Sequence, residues 1–427
     1  MSHLIAPGEA QYEKWLMETV VTAVQGGATT LFEVVTEANG ADPIAVLATI
    51  HRAIGSGRLN EAAETLAESR CTQGNDGVFE LALPVPHPLD FEWRFSRLGA
   101  AYLLERLSAL GASDLCTVGS TTVALLAVRR GWSGCVSALD TNGRLLLVTK
   151  QLQPQIQTYH VDVTREALPL VQASAVIIDP PWYEEYMECF LWASSRLCGP
   201  NGYVFLTAPS VGTRPGVAAE RDLLLAKACL FGLTPIAIES HCVAYETPMF
   251  EWNALRAAGV RGSIGCWRRG DLIVLQRGLE AESGPVRPVP PLDQQVWTEV
   301  SIGATRIRVR ERARTSCDPQ LCPIVAGDVL PTVSRRDRRR AKADVWTTGN
   351  RVDACQAPDV LRTIVEAVAS GRDPAEEVMA LVGPELCAVE RPLVSRVLNQ
   401  VTELIANERE DLAAYARYIA ESSTRAA

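Results

Sequence analysis

Residues 175–183 form the stretch that most restricts what this chain can fold into. Four apolar residues are followed at once by Asp179, two prolines and two aromatic residues. A short uninterrupted apolar run is typical of a parallel strand buried on both faces, and such strands present polar sites at their carboxyl ends. Because proline has a fixed φ and no N–H, the turn holds the Asp179 carboxylate and the Pro180 carbonyl in fixed directions. The stretch therefore predicts an α/β fold with a chemical site at Asp179.

Strand and helix patterns alternate on both sides of this stretch, after a proline-rich joint at residues 84–88. We expect seven strands, at residues 114–118, 134–140, 158–162, 174–179, 202–208, 234–243 and 271–276. Alternation of this kind predicts an α/β fold with a doubly wound, mainly parallel sheet. The last two strands have no helix pattern of normal length between them, which predicts an antiparallel pair at one edge.

The rest of the chain divides into three further parts beside this central unit of residues 86–278. Residues 1–85 show three helical patterns and then an alternating strand near 77–83, an order that predicts a winged helix. Its arginines are few and mixed with acids, which favours a packing or partner-binding module over DNA binding. Residues 279–294 are a proline-rich linker. Residues 295–427 contain a hairpin (298–302 with 305–310), a basic segment and helices that could cap the fold or join two copies.

Composition excludes several classes of protein. The 427 residues are 47% hydrophobic and 21% charged, as in ordinary globular proteins. A net charge of −9 opposes bulk attraction to nucleic acid, although a local basic patch could still bind it. The twelve cysteines are scattered without a C-x-x-C pair, which predicts reduced thiols and no metal site. No apolar run reaches membrane length and no leader pattern begins the chain, so we expect a cytoplasmic protein without a membrane partner.

The turn after Asp179 has the chemistry that transfer to a planar amino group requires. The lone pair of such a nitrogen is delocalised into the ring, and the nitrogen becomes nucleophilic only when acceptors hold its hydrogens. Asp179 and the Pro180 carbonyl supply two acceptors, Pro181 stiffens the turn, and Trp182 or Tyr183 offers a face on which a base can stack. These five residues are the predicted catalytic set.

The sequence Asp179-Pro180-Pro181-Trp182 resembles the catalytic motif of the class I S-adenosylmethionine-dependent amino methyltransferases, and its Trp form is typical of the adenine-modifying members. The resemblance implies a Rossmann-like, class I methyltransferase-like sheet, S-adenosylmethionine as cofactor and no metal. It also implies transfer of a methyl group to an exocyclic amino group, with adenine of a nucleic acid or nucleotide as the expected acceptor.

Cofactor-binding candidates lie at the carboxyl ends of the first three strands. The backbone of the loop after strand one could receive the methionine carboxylate. Asp140 ends strand two, where an acid binds ribose hydroxyls, and the resemblance implies that Asp162, after strand three, contacts the cofactor's adenine. The family's first loop usually carries a G-x-G-x-G pattern, whereas this loop has one glycine. Its candidate residues are Val118, Gly119, Ser120 and Thr121.

A second resemblance is to the branched-chain polyamine synthases, which also join a winged helix to this kind of sheet. Residues 179–181, the helix that follows and the strand at 202–207 look similar to their Asp-Pro-Pro motif, long helix and Gly-Tyr strand. Those enzymes hold a polycation with an acidic cluster after strand two, where this chain has Asp140 alone among residues 138–142. Aminopropyl transfer is therefore the second hypothesis. A catalytically inactive scaffold with the same fold is the third.

Candidate substrate-binding residues lie outside the motif. Arg214 could hold a phosphate or carboxylate, or else form a salt bridge with Glu220 or Glu184. The basic segment, residues 334–342, carries the only dense positive charge and predicts a nucleic-acid or nucleotide site, with a solvated basic loop as the alternative. Arg268 and Arg269 are expected in a solvated hairpin. The full set of substrate candidates is Arg214, Tyr245, Arg335, Arg336, Arg338, Arg339 and Trp346.

Overall fold

The computed structural model of the protein describes residues 7–69, 83–262, 264–279, 286–290, 295–316, 318–382 and 387–423. Its first part consists of three α-helices: α1 (Pro7–Gln25), α2 (Leu31–Glu37) and α3 (Pro43–Gly55). The Asp42 side chain caps α3, because its carboxylate accepts a hydrogen bond of 2.8 Å from the Ile44 N–H. The strand expected at residues 77–83 falls largely outside the described residues, so the winged helix remains a prediction.

The amino-terminal helices pack directly on the central unit. Their apolar faces share one core with Leu255, Val260, Ile264 and Trp267, which belong to the segment before the last strand of the large sheet. The Tyr12 hydroxyl also donates a hydrogen bond of 2.9 Å to the Gly212 carbonyl in a loop at the sheet's edge. These contacts hold the helices beside the carboxyl ends of the strands.

The central unit contains the seven predicted strands in the order β3-β2-β1-β4-β5-β7-β6. The strands β1 to β5 are parallel, and β4 is apolar on both faces because helices cover the sheet on each side. The elements are α4 (Arg97–Ala109), β1 (Leu115–Val118), α5 (Thr121–Arg129), β2 (Val136–Asp140), α6 (Gly143–Leu152), β3 (Gln157–His160), β4 (Ala173–Ile178), α7 (Glu184–Leu197), β5 (Cys198–Pro209), α8 (Val217–Leu230), β6 (Leu233–Ala244), α9 (Met249–Ala257) and β7 (Arg269–Arg277).

The last two strands pair antiparallel at one edge of the sheet, as expected. The connection between them differs from the prediction, because it contains the nine-residue helix α9. That helix has buried residues on nearly every side, so it lacks the two-faced pattern that would have marked it in the sequence. Strand β7 inserts between β5 and β6 and runs antiparallel to both.

The carboxy-terminal part forms a second, five-stranded antiparallel sheet in the order β10-β12-β11-β9-β8. The predicted hairpin is present as β8 and β9, but the other three strands have only two or three residues each and carry no periodic signal. The elements are β8 (Trp297–Ile302), β9 (Thr305–Arg310), β10 (Cys322–Pro323), β11 (Val345–Thr347), β12 (Val352–Ala354), α10 (Pro358–Ser370), α11 (Pro374–Val382) and α12 (Cys387–Ser423).

Helix α12 returns along the molecule and packs against its own chain. Glu408, which is buried, accepts hydrogen bonds from the Thr347 hydroxyl (2.7 Å) and the Gly349 N–H (2.7 Å), and it pairs with Arg351 (2.8 Å). Further along, the Tyr415 hydroxyl donates to the Thr247 carbonyl at 2.6 Å. None of the helices in the described ranges has the length and apolar character that crossing a membrane requires.

Candidate active site

Asp179 follows the carboxyl end of β4 and faces two adjoining cavities. Its backbone N–H donates to the Val118 carbonyl at 3.1 Å, which ties the turn to β1. Its Oδ1 atom accepts hydrogen bonds from the Thr207 hydroxyl (2.5 Å) and the Tyr245 hydroxyl (2.7 Å). Within the described residues, neither Asp179 Oδ2 nor the Pro180 carbonyl has a hydrogen-bond partner. One carboxylate oxygen is thus held in place while a second acceptor is left for a ligand.

The environment of Asp179 also changes its acidity. Burial raises the pKa of this carboxyl to about 7, and the hydrogen bonds from Thr207 and Tyr245 and the charge of Arg268 oppose the rise only in part. Burial, with the Asp179 charge beside it, also raises the pKa of Tyr245, so the phenol stays protonated and remains a donor. A carboxyl that titrates near neutral pH can accept a proton from a reacting group at physiological pH.

The larger cavity, about 340 Å³ in volume, lies beside Asp179. All five predicted catalytic residues line it, together with Arg214, Tyr245, Arg335 and Arg336. Its wall is strongly aromatic, and an apolar wall with a few convergent polar groups is typical of a small-molecule site. The aromatic residues in that wall are Tyr12, Phe91, Trp93, Trp182, Tyr183, Tyr245 and Trp267.

Three distant parts of the chain meet in this wall. Tyr12 and Asp42 come from the amino-terminal helices, Trp182 from the central unit and residues 332–336 from the carboxy-terminal part. The carboxy-terminal segment is attached through the Arg335 N–H, which donates to the Tyr183 hydroxyl at 2.9 Å. Each part of the molecule therefore completes the same cavity.

The charges around the larger cavity are mostly those of arginine. Arg214 forms a double hydrogen bond with Glu220 (2.5 and 2.6 Å) and also donates to the Trp182 carbonyl at 3.1 Å. Of the alternatives that the sequence left open for Arg214, the structure therefore contains the salt bridge with Glu220. The Glu220 pair still leaves Arg214 in the cavity wall, where it supports the backbone of the catalytic turn.

Arg268 corrects one expectation, because its side chain is largely buried rather than solvated. It pairs with Glu251, and its guanidinium carbon lies 5.2, 5.6 and 4.7 Å from the ring centroids of Trp93, Trp182 and Trp267. Packing of α9 and the amino-terminal helices around the start of β7 covers this position. A sequence of two adjacent arginines carries no sign of such long-range covering.

The smaller cavity, about 230 Å³, lies at the carboxyl ends of β1 to β3. Val118, Gly119, Asp140 and Asp162 line it, which places four of the six cofactor candidates together. The two cavities adjoin, since Phe91, Asp179, Pro181 and Arg335 line both of them. A group bound in the smaller cavity could therefore reach the acceptor side beside Asp179.

Hydrogen bonds from neighbouring residues orient the Asp140 carboxylate. The Asn142 N–H donates to its Oδ1 at 2.8 Å and the Thr121 hydroxyl to its Oδ2 at 3.2 Å, so Thr121 supports Asp140 rather than lining the cavity. The Asn142 amide also donates to Glu92 Oε2 at 3.2 Å, which brings a second carboxyl to the same wall. Burial raises the pKa of Asp140 to about 7, and the nearby Glu92 charge adds to the rise.

The loop after β1 fits a ligand despite its single glycine. Gly119 has a φ of +70°, and a Cβ atom there would lie 3.0 Å from the Asp179 carbonyl oxygen. The buried Ser120 hydroxyl has no hydrogen-bond partner among the described residues. Asp162 lies two residues beyond β3, where its Oδ1 accepts from the Thr164 N–H at 2.9 Å. These groups suit a polar ligand with a ribose and an amino-acid end.

Three of the predicted substrate-binding residues, Arg338, Arg339 and Trp346, do not line either cavity. Trp346 is a predicted substrate-binding residue, but only 1% of its surface is exposed, and its indole N–H donates to Asn350 at 3.0 Å. Since β11 is interior to the second sheet, that ring belongs to the core. Arg339 pairs with Asp337 at 2.6 Å, and neither Arg338 nor Arg339 is among the residues that line the cavities.

Contributors to the site that were not predicted from the sequence include Tyr12, Asp42, Phe91 and Thr207. Thr207 was the one with a local signal, because it is a polar residue at a buried position of an otherwise apolar strand. The other three lie in segments far from the motif along the chain. Their place in the wall depends on how those segments pack.

Structures of known proteins share this fold. A variant (the C9 mutein) of the branched-chain polyamine synthase from Thermus thermophilus, solved with N4-aminopropylspermidine and 5'-methylthioadenosine, superposes with a TM-score of 0.50. It is 12% identical in sequence, and the match covers 66% of this chain and 93% of that one.

Two methyltransferase structures match less than half of this chain. A TehB-like S-adenosylmethionine-dependent methyltransferase from Corynebacterium glutamicum has a TM-score of 0.30 at 13% identity, covering 43% of this chain and 89% of its own. The N-methyltransferase NodS from Bradyrhizobium japonicum was solved with S-adenosyl-L-homocysteine and has a TM-score of 0.29 at 13% identity. That match covers 42% of this chain and 85% of NodS.

No protein-family model matches the sequence, and a search of curated proteins finds no match. What the fold establishes is a class: a mixed α/β protein with the seven-stranded, class I methyltransferase-like sheet. The order of its strands and the antiparallel β7 place the two cavities at the carboxyl ends of the parallel strands, where ligands bind in such sheets.

Proposed function

We propose that this protein is an S-adenosylmethionine-dependent N-methyltransferase that acts on an exocyclic amino group of a planar ring, with adenine of a nucleic acid or nucleotide as the expected acceptor. The observation that carries the proposal is the position of Asp179. One of its oxygens is fixed by Thr207 and Tyr245, and the other is available at the junction of an aromatic cavity and a second, polar one.

The smaller cavity is the proposed cofactor site. Asp140, oriented by Asn142 and Thr121, would hold the ribose hydroxyls, and the loop at Gly119 and Ser120 would hold the amino-acid end. Asp162, which lines the same cavity, would contact the adenine ring. S-adenosylmethionine, when bound, supplies a methyl group already activated on a sulfonium.

The chain's own residues would align the acceptor and manage its proton. Asp179 Oδ2 and the Pro180 carbonyl would accept the two hydrogens of the amino group, which draws the nitrogen out of resonance with its ring. Trp182 and Tyr183 would clamp the ring, and the aromatic wall would exclude water from around it. The nitrogen must lose one proton when it gains the methyl group, and Asp179, with a pKa of about 7, is placed to take it.

Transfer of an aminopropyl group to a polyamine is the second candidate, and the fold shared with a polyamine synthase favours it. The charges of the larger cavity oppose it, because four arginines and two aspartates line a space that a polycation would have to enter. A catalytically inactive scaffold is the third candidate. It differs from both enzymes in that it need not bind a cofactor.

Calorimetric titration with S-adenosylmethionine tests the cofactor part of the proposal. Wild type should release heat on binding and Asp140→Ala should bind at least tenfold more weakly, since it loses the proposed ribose contact. If neither protein releases heat, the scaffold is the better description. Binding of decarboxylated S-adenosylmethionine with turnover of spermidine would establish the aminopropyl alternative instead.

The role of Asp179 is tested by methyl transfer to adenine-containing acceptors, followed with a labelled methyl group. Asp179→Ala should abolish turnover while its affinity for S-adenosylmethionine stays within about twofold of wild type, because Asp140 and the Gly119 loop are unchanged. Undiminished methylation by this variant would remove Asp179 from the mechanism.

A further inference from the structure

The basic segment, residues 334–342, turns its first arginines toward the larger cavity. The Arg335 guanidinium lies 3.7 Å from the Phe91 ring centroid and 4.6 Å from that of Tyr186. The Arg336 guanidinium lies 5.2 Å from the ring centroid of Tyr183, which is part of the catalytic turn. Two arginines of the basic segment are therefore directed at the proposed substrate site.

The later arginines of the segment do not form an outward basic surface. Arg339 is paired with Asp337 at 2.6 Å, and Arg340 lies over the Trp346 ring at 4.2 Å. Nucleic-acid binding requires a groove or row of cations that follows several phosphates. Here Arg338 is the exposed guanidinium of the segment that does not contact a ring or a carboxylate among the described residues. Lys342, at the end of the segment, is exposed as well, and two outward cations are too few to make such a row.

Among the arginines that line the cavity, the charges are not equally available. Arg214 and Arg268 are paired with Glu220 and Glu251. Arg336 is exposed and has no carboxylate within salt-bridge distance in the described part of the chain. Its charge is open to a ligand at the edge of the cavity beside Tyr183.

We propose that the acceptor is a small free anion: a planar heteroaromatic amine that carries a phosphate, the chemistry of a nucleoside monophosphate, with the phosphate on Arg336. The inference rests on the proposed function and narrows its substrate. The ring would lie between the aromatic walls with its amino group at Asp179, and the guanidinium suits a phosphate because its donors form a planar fork. A volume of about 340 Å³ falls within the range of small-molecule sites, which is roughly 300–1,000 Å³.

The test compares ligands that share a ring and differ in charge. Adenosine 5'-monophosphate and adenosine are titrated by calorimetry into wild type, Arg336→Gln and Arg338→Gln, each saturated with S-adenosylhomocysteine. Arg338→Gln is the matched control. It removes the same charge two positions along the chain, and the Arg338 side chain does not line the cavity. Arg336→Gln should weaken the monophosphate about tenfold or more and leave adenosine within about twofold. Arg338→Gln should change neither ligand by more than about twofold.

Several results would overturn the inference. One is equal affinity of wild type for adenosine and its monophosphate, and another is equal losses in the two arginine variants. The third is tighter binding of a single-stranded oligonucleotide than of the monophosphate, with a steep salt dependence, which would indicate nucleic acid. If S-adenosylhomocysteine binds but the monophosphate does not, the substrate class is wrong while the cofactor proposal stands. Absence of binding by S-adenosylhomocysteine and S-adenosylmethionine would instead reject the proposed function.

Discussion

Replacement of Asp179 by asparagine separates the stability of the protein from its activity. The asparagine oxygen can still accept the hydrogen bonds that Asp179 Oδ1 receives from Thr207 and Tyr245, so the local packing is kept. The change removes the charge and replaces the available acceptor with an N–H donor. The amino group of a substrate would then meet a donor instead of an acceptor.

The magnitude for stability follows from the raised pKa. Burial raises the pKa of Asp179 to about 7, so the folded protein keeps a proton between about pH 4 and pH 7 that the unfolded chain has released. The free energy of unfolding of wild type therefore falls as the pH rises through this window. Asp179→Asn does not titrate, so its free energy of unfolding does not fall for this reason. Asp179→Asn should be more stable than wild type by roughly 2 kcal/mol at pH 5.5 and roughly 4 kcal/mol at pH 8.

Urea unfolding followed by circular dichroism at the two pH values measures this difference, and a methyl-transfer assay measures activity. Turnover of Asp179→Asn should fall by about 10²-fold or more, with cofactor affinity retained. Asp140→Asn is the comparison variant: burial raises the pKa of Asp140 to about 7 as well, so its stability relative to wild type should rise with pH in the same direction, but it should lose cofactor affinity. A stability difference that is the same at pH 5.5 and pH 8 would refute the reasoning about Asp179.

Three further changes test other parts of the structure. Thr207→Val removes one of two hydrogen bonds that lower the pKa of Asp179, so the acidic limb of the pH profile of kcat/KM should move to higher pH; an unmoved limb contradicts the contact. Gly119→Ala places a Cβ atom 3.0 Å from a carbonyl oxygen and should weaken the binding of S-adenosylmethionine about tenfold by calorimetry. Gly111 also has a positive φ but lies in open space, so Gly111→Ala should leave binding unchanged. Equal effects of the two changes would argue against a close approach at Gly119. Trp346→Ala should lower the free energy of unfolding by about 3–5 kcal/mol in urea, and a loss below 1 kcal/mol is inconsistent with a core ring.

Local patterns were sufficient to predict the central sheet and the turn at Asp179. An apolar run of strand length can be satisfied only by burial on both faces, and two prolines after Asp179 allow little but a rigid turn. The seven strands and the positions of Gly119 and Asp140 at their ends followed from these rules. The short strands β10 to β12 did not, because two or three residues are too few to show a period.

The sequence by itself thus determined which oxygens stand at the end of β4 and which acid follows β2, since both depend on neighbours along the chain. Only the tertiary structure decided what surrounds them. Tyr12, Phe91 and Arg336 reach one cavity from three separate segments of the chain, and Trp346 is buried in a core. These outcomes depend on how helices and sheets pack against one another, and packing is a property of pairs of surfaces that no single stretch of residues contains.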